Sequence, residues 1–141
     1  MLRHTTPHSN DEIRTWLRGQ GVNPTSQRLD IARVFFSRCI HLSAEDVFRL
    51  VNTEDQRVSK ATVYNTLSLF VERGLIRQVV ADPNKIFYDS NTAAHHHFFD
   101  VDTGELADID STDLKVSGLP AVPDGKALEG VDVVVRVRRG R

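Results

Sequence analysis

Apolar residues recur along the first half of this chain at helical spacing, and a polar capping residue precedes each run. Ser9 with Glu12 three residues on is a capping-box pattern, and Ile13, Trp16 and Leu17 follow it. Gly19 and Gly21 end that first helix. Thr25 opens a second, carrying Leu29, Ala32, Phe35 and Phe36. Ser43 with Asp46 opens a short third helix through Val47 and Leu50. Ser59 caps a fourth, closed by Gly74. Val63, Leu67, Phe70 and Val71 share one face of the fourth helix. Ala61, Asn65 and Ser68 share the other, with Tyr64 at the flank.

The period then changes. Ile76–Ala81 and Lys85–Asp89 read as strands joined by Asp82-Pro83-Asn84, a hairpin turn. Helices followed by a hairpin predict a winged helix-turn-helix over residues 1–89, with the fourth helix entering a DNA groove. Residues 90–94 read as a hinge. Beyond it, His97–Val101 and Glu105–Ile109 read as strands around Asp102-Thr103-Gly104. Asp113–Gly118 is expected to form one helical turn, Gly118–Gly130 a loop, and Val131–Arg138 a strand. The fold class is α+β: a winged helix, then a small α/β dimerisation domain over 95–141. So few residues seldom hold a core alone, which points to a homodimer.

Charge sharpens this division. The 141-residue chain has a formal net charge of −1, but the charge is uneven. Residues 92–135 hold nine Asp/Glu against two Lys/Arg, and the last six residues, RVRRGR, add four arginines. The front is near neutral, so a DNA-facing half and an acidic half are expected. Residues 1–8 are polar and expected to be disordered. No apolar signal region or membrane-length run appears, so a cytoplasmic protein is expected. The single cysteine, Cys39, excludes an internal disulfide or a CxxC knuckle and reads as a packing residue.

Three segments carry chemistry. In Ser59–Leu67, Lys60, Thr62 and Tyr64 suit phosphate contacts and Asn65 can read an adenine edge; a plain solvated helix is the alternative. Arg28 at a helix start and Lys85 in the hairpin suit phosphates too. The third segment is His95-His96-His97. In a strand, His95 and His97 point one way and His96 the other. Imidazole pairs at this spacing bind transition metals such as Zn²⁺ and Fe²⁺. His41, before the third helix, and Asp89, ending the hairpin, are candidate partners for a metal site with His95 and His97. Such a site would bridge the two halves and couple occupancy to domain orientation. An exposed histidine run without function is the alternative. His96 has no evident partner; Ala94 and Lys115 offer none. It is either a solvated side chain or, near aromatics, an axial haem ligand. No HExxH or similar pairing appears, so an enzyme is not expected.

Thr25-x-x-Arg28, His41-x-Ser43-Ala44-Glu45-Asp46, Ala61-Thr62-Val63-Tyr64-Asn65-Thr66-Leu67, Gly74-Leu75-Ile76 and His95-His96-His97 resemble the ferric uptake regulator family. The resemblance implies a homodimer on palindromic operator DNA and an inter-domain metal set carried over as His41, Asp89, His95 and His97. Members with a structural zinc carry CxxC after the histidines; Asp100 and Thr103 stand there in this chain. The second metal site of the family keeps only His96. With Thr103-Gly104-Glu105-Leu106, Gly118-Leu119-Pro120 and the Val131–Arg139 run, this looks like the iron response regulator branch. That branch implies a regulator of iron and haem metabolism, bound to DNA when iron is scarce and released by haem held near His95, His96 and His97. The alternative is a repressor activated directly by Fe²⁺ or Mn²⁺.

Overall fold

The computed structural model describes residues 9–36, 41–55 and 57–140. The expectations for residues 1–8 and for Cys39 fall outside these. The chain divides into two compact units, Met1–Thr92 and Ala93–Arg141.

The first unit runs α1 (Asn10–Gly19), α2 (Ser26–Phe36), α3 (Ala44–Val51), α4 (Lys60–Glu72), β1 (Arg77–Asp82) and β2 (Lys85–Asp89). Each helix begins where its cap predicts. Ser9 Oγ accepts from the Glu12 N–H, and Ser43 and Asp46 form a complete capping box. Ser59 Oγ accepts from the Thr62 N–H. These bonds satisfy amides that a helix start leaves without partners. Gly74 follows α4 at φ +73°, a left-handed turn that a side chain would strain.

The helices bury one face each. Ile13 and Leu17 of α1, Ile31 and Phe35 of α2, Val47 of α3, and Val63, Leu67 and Phe70 of α4 join one core. Trp16 packs edge-on against Phe36 at 4.1 Å between ring centroids. Burying each such side chain contributes roughly 1.5–3 kcal/mol. β1 and β2 pair antiparallel, Val79 opposite Phe87, with an irregularity near the turn. Leu42 adds an antiparallel bridge to Tyr88, exchanging both backbone hydrogen bonds. That bridge ties the segment before α3 to the wing.

The second unit is a three-stranded sheet in the order β4-β3-β5, with β3 His96–Asp100, β4 Leu106–Ile109 and β5 Val134–Val137. β4 runs antiparallel to β3 and β5 parallel to it. The β3–β4 turn is closed by the Gly104 N–H to the Asp100 carbonyl and the Asp100 N–H to the Glu105 carbonyl. Residues 114–133 hold no helix or strand. The helical turn expected at Asp113–Gly118 does not form. Instead the Asp110 carboxylate accepts the Thr112 N–H and the Asp110 carbonyl accepts the Asp113 N–H, closing an isolated turn. Among the described residues of this unit, His97, Phe99 and Ile109 are the buried ones. Phe98, Val101, Leu119, Leu128 and Val137 are exposed.

Among the described residues, no helix is long and apolar enough to cross a membrane.

Candidate metal centre and nucleic-acid face

The first unit builds one carboxylate–imidazole pair. The Leu42–Tyr88 bridge is antiparallel, so the flanking residues His41 and Asp89 come side by side. His41 Nε2 lies 3.1 Å from Asp89 Oδ2, and Asp89 is buried. The other Asp89 oxygen accepts the Asn91 N–H at 2.8 Å, which fixes the carboxylate.

The second unit builds a set of three. His97 stands directly opposite Asp108 in the β3–β4 register. Alternation puts His95 on the same side as His97, and their ring centroids are 4.4 Å apart. Both Nε2 atoms lie 3.2 Å from Asp108 Oδ1. His95, His97 and Asp108 each offer a ligand atom within 4.8 Å of the others. Asp108 is the residue that the sequence reading missed. Counting back from the Asp102-Thr103-Gly104 turn along the hairpin would have found it.

The donor chemistry fits a divalent cation. His95 Nδ1 is 2.6 Å from the Ala93 carbonyl, which can only accept. A proton on Nδ1 meets that carbonyl, which leaves Nε2 as the ring nitrogen turned toward the Asp108 carboxylate. Imidazole nitrogen with carboxylate oxygen is a donor set that divalent transition metals accept.

His96 leaves on the other side of the sheet. Its Nδ1 accepts the Val133 N–H at 2.9 Å, so the sequence expectation of no partner is corrected. The partner comes from the segment entering β5, which lies parallel to β3. The three candidate haem histidines are thus split: His95 and His97 turn to Asp108, and His96 holds the sheet.

The nucleic-acid candidates gather around α4. Its outward face carries Lys60, Ala61, Asn65 and Ser68, all exposed, with Tyr64 48% exposed. Two shallow grooves flank it. One is lined by Thr25, Gln27, Arg28, Thr62 and Asn65. The other is lined by Ser43, Glu45, Tyr64, Pro83, Lys85 and Tyr88. Arg28 is half-buried, and its guanidinium donates to the Asn23 carbonyl at 2.9 Å. Thr62 is also half-buried; its hydroxyl accepts from Ser59 at 3.0 Å. Lys60 Nζ sits 5.7 Å over the Phe48 ring and Lys85 Nζ 5.5 Å over Phe87, so aromatic faces orient both ammonium groups. Burial pushes the Tyr88 phenol above its ordinary pKa; the Tyr64 phenol adds to this, and a hydrogen bond to Gln78 opposes it.

Comparison with known proteins agrees with this architecture. Residues 19–123 match the model of the ferric uptake regulator family. The peroxide-responsive repressor PerR of Staphylococcus aureus is 29% identical over 101 residues, which span 72% of this chain and 68% of that protein. The ferric uptake regulator of Pseudomonas aeruginosa, solved with manganese, superposes with a TM-score of 0.70 at 26% identity, covering 91% of this chain and 98% of that one. That of Francisella tularensis, solved with iron, gives 0.69 at 21% identity over 84% and 92%.

Proposed function

From the premise that the chain belongs to the ferric uptake regulator family, a family of metal-responsive transcriptional regulators rather than enzymes, we propose that it is a repressor activated by a divalent metal. In this reading a homodimer binds operator DNA when Fe²⁺ or Mn²⁺ is held by His41, Asp89, His95, His97 and Asp108. Metal occupancy is then coupled to domain orientation, and through it to operator binding. Asn65 meets a base edge, and Tyr64 meets the backbone beside it. Lys60, Thr62, Arg28 and Lys85 meet phosphates. The exposed apolar residues of the second unit are covered by a second copy.

One observation carries the reading: two imidazole Nε2 atoms converge on one Asp108 oxygen at 3.2 Å each. This pinched set suits a small ion. A haem iron needs a ligand standing clear above an open porphyrin face, and His95 and His97 crowd each other at 4.4 Å. His96 faces elsewhere and already accepts a backbone hydrogen bond. The divalent-metal reading therefore stands ahead of haem release in the manner of the iron response regulator branch.

The two readings predict opposite phenotypes. Transcripts would be profiled in a strain lacking the gene, grown metal-replete and metal-starved. De-repression in replete cells supports the proposal. A change confined to starved cells overturns it in favour of the iron response regulator type.

A further inference from the structure

Arg136, Arg138 and Arg139 are all exposed, and none has an ion-pair partner among the described residues. Their backbone is held. The Val101 N–H donates to the Val137 carbonyl at 2.9 Å, and the Arg139 N–H donates to Asp102 Oδ2 at 2.6 Å. β5 itself is hydrogen-bonded along β3. Three guanidinium groups are thus carried on an anchored segment, so fixing them on a ligand costs less ordering entropy than for a loose tail. They stand out against an acidic background, since residues 92–135 hold nine acidic and two basic side chains.

The α4 face is short of cations for a DNA reader. Its outward residues include one lysine, Lys60, beside Ala61, Tyr64, Asn65 and Ser68. The flanking groove adds one guanidinium, Arg28, which gives one of its donors to the Asn23 carbonyl. Phosphate neutralisation supplies most sequence-independent affinity for DNA, and neutral side chains do not provide it. We infer that Arg136, Arg138 and Arg139 form a second duplex-DNA contact, a phosphate clamp outside the α4 face that adds affinity without sequence preference. Guanidinium suits the task through its bidentate fit to phosphate. The inference rests on the DNA-binding reading above. A rival occupant is the acidic surface of a second copy, which would make these arginines a dimer contact.

Salt dependence separates the possibilities. The full-length, Mn²⁺-loaded protein would be titrated onto two duplexes of about 30 base pairs, one of random sequence and one selected by the protein from a random library. The R136Q/R138Q/R139Q variant and its all-lysine counterpart would be run beside it. Each lost phosphate contact lowers the slope of log K against log salt by about 0.9. The glutamine variant should lose about 2 to 3 from the slope for each protomer whose arginines touch the duplex, and lose affinity by the same factor on both duplexes. The lysine variant should keep the slope. An unchanged slope in the glutamine variant overturns the inference. So does an unchanged slope with a weakened dimer in sedimentation, which assigns the arginines to a second copy. Wild-type protein that binds neither duplex overturns the DNA-binding reading itself, and the clamp with it.

Discussion

His97 and Asp108 face each other directly across the β3–β4 pair, Nε2 to Oδ1 at 3.2 Å, and His95 reaches the same oxygen from two residues away. One carboxylate thereby organises two imidazoles. Asp108→Ala should lower Mn²⁺ affinity by about 10- to 100-fold or more, since even groups that only orient metal ligands have effects of that size. Calorimetric titration of chelator-treated protein measures it. An affinity equal to wild type would remove Asp108 from the metal set.

Asp108 also illustrates what the sequence made legible. The helices, their caps and the hairpin were readable because their signals are local: Ser43 and Asp46 lie three residues apart, and Gly74 directly follows the α4 cap. The pairing of Asp108 with His97 was within reach, since a tight turn sets the register of both strands. The partner of His96 was not. Val133 lies 37 residues away and reaches His96 through a parallel pairing whose register no turn encodes. The helical turn expected at Asp113–Gly118 is absent because so short a segment closes too few helical bonds to offset the cost of starting a helix. The Asp110 carboxylate offers the backbone a competing set of bonds.

The α3 capping box should be visible in stability. Ser43→Ala should cost about 1 kcal/mol in urea unfolding at neutral pH. Burial pushes the Asp46 carboxyl up, but the Ser43 N–H and hydroxyl, with Arg49, outweigh it and hold the group below its ordinary pKa. A carboxyl whose folded pKa is lowered contributes stability above its unfolded pKa and loses it as pH falls through the folded value. Asp46→Asn should therefore flatten the acid side of the stability–pH curve. An equally steep acid limb in the variant would count against this assignment.

Asp100 closes the β3–β4 turn through side-chain hydrogen bonds. Its Oδ1 accepts the Asp102 N–H at 2.9 Å and the Thr103 N–H at 3.1 Å. Asp100→Ala should destabilise the protein by about 1 kcal/mol and speed amide exchange at Asp102 and Thr103. Unchanged exchange there would show that the turn does not depend on this carboxylate.

The two faces of α4 should respond oppositely to truncation. Tyr64 is 48% exposed and Leu67 fully buried. Tyr64→Ala and Asn65→Ala should leave stability within about 0.5 kcal/mol. Asn65→Ala should weaken operator binding by about 1–3 kcal/mol. Leu67→Ala should cost about 2–5 kcal/mol of folding stability. Thermal melts and duplex titrations on the same preparations separate the effects. If Asn65→Ala binds operator as wild type does, the outward face of α4 is not the reading surface.

The central claim is the sign of the metal effect on DNA. Duplexes would be selected from a random library by the full-length protein with and without Mn²⁺. Fluorescence anisotropy would then follow binding by chelator-treated protein alone, with Mn²⁺, and with haem. The account predicts weak binding without metal and at least a tenfold gain with Mn²⁺, about 1.4 kcal/mol. Tight binding by metal-free protein, abolished by haem, would contradict it.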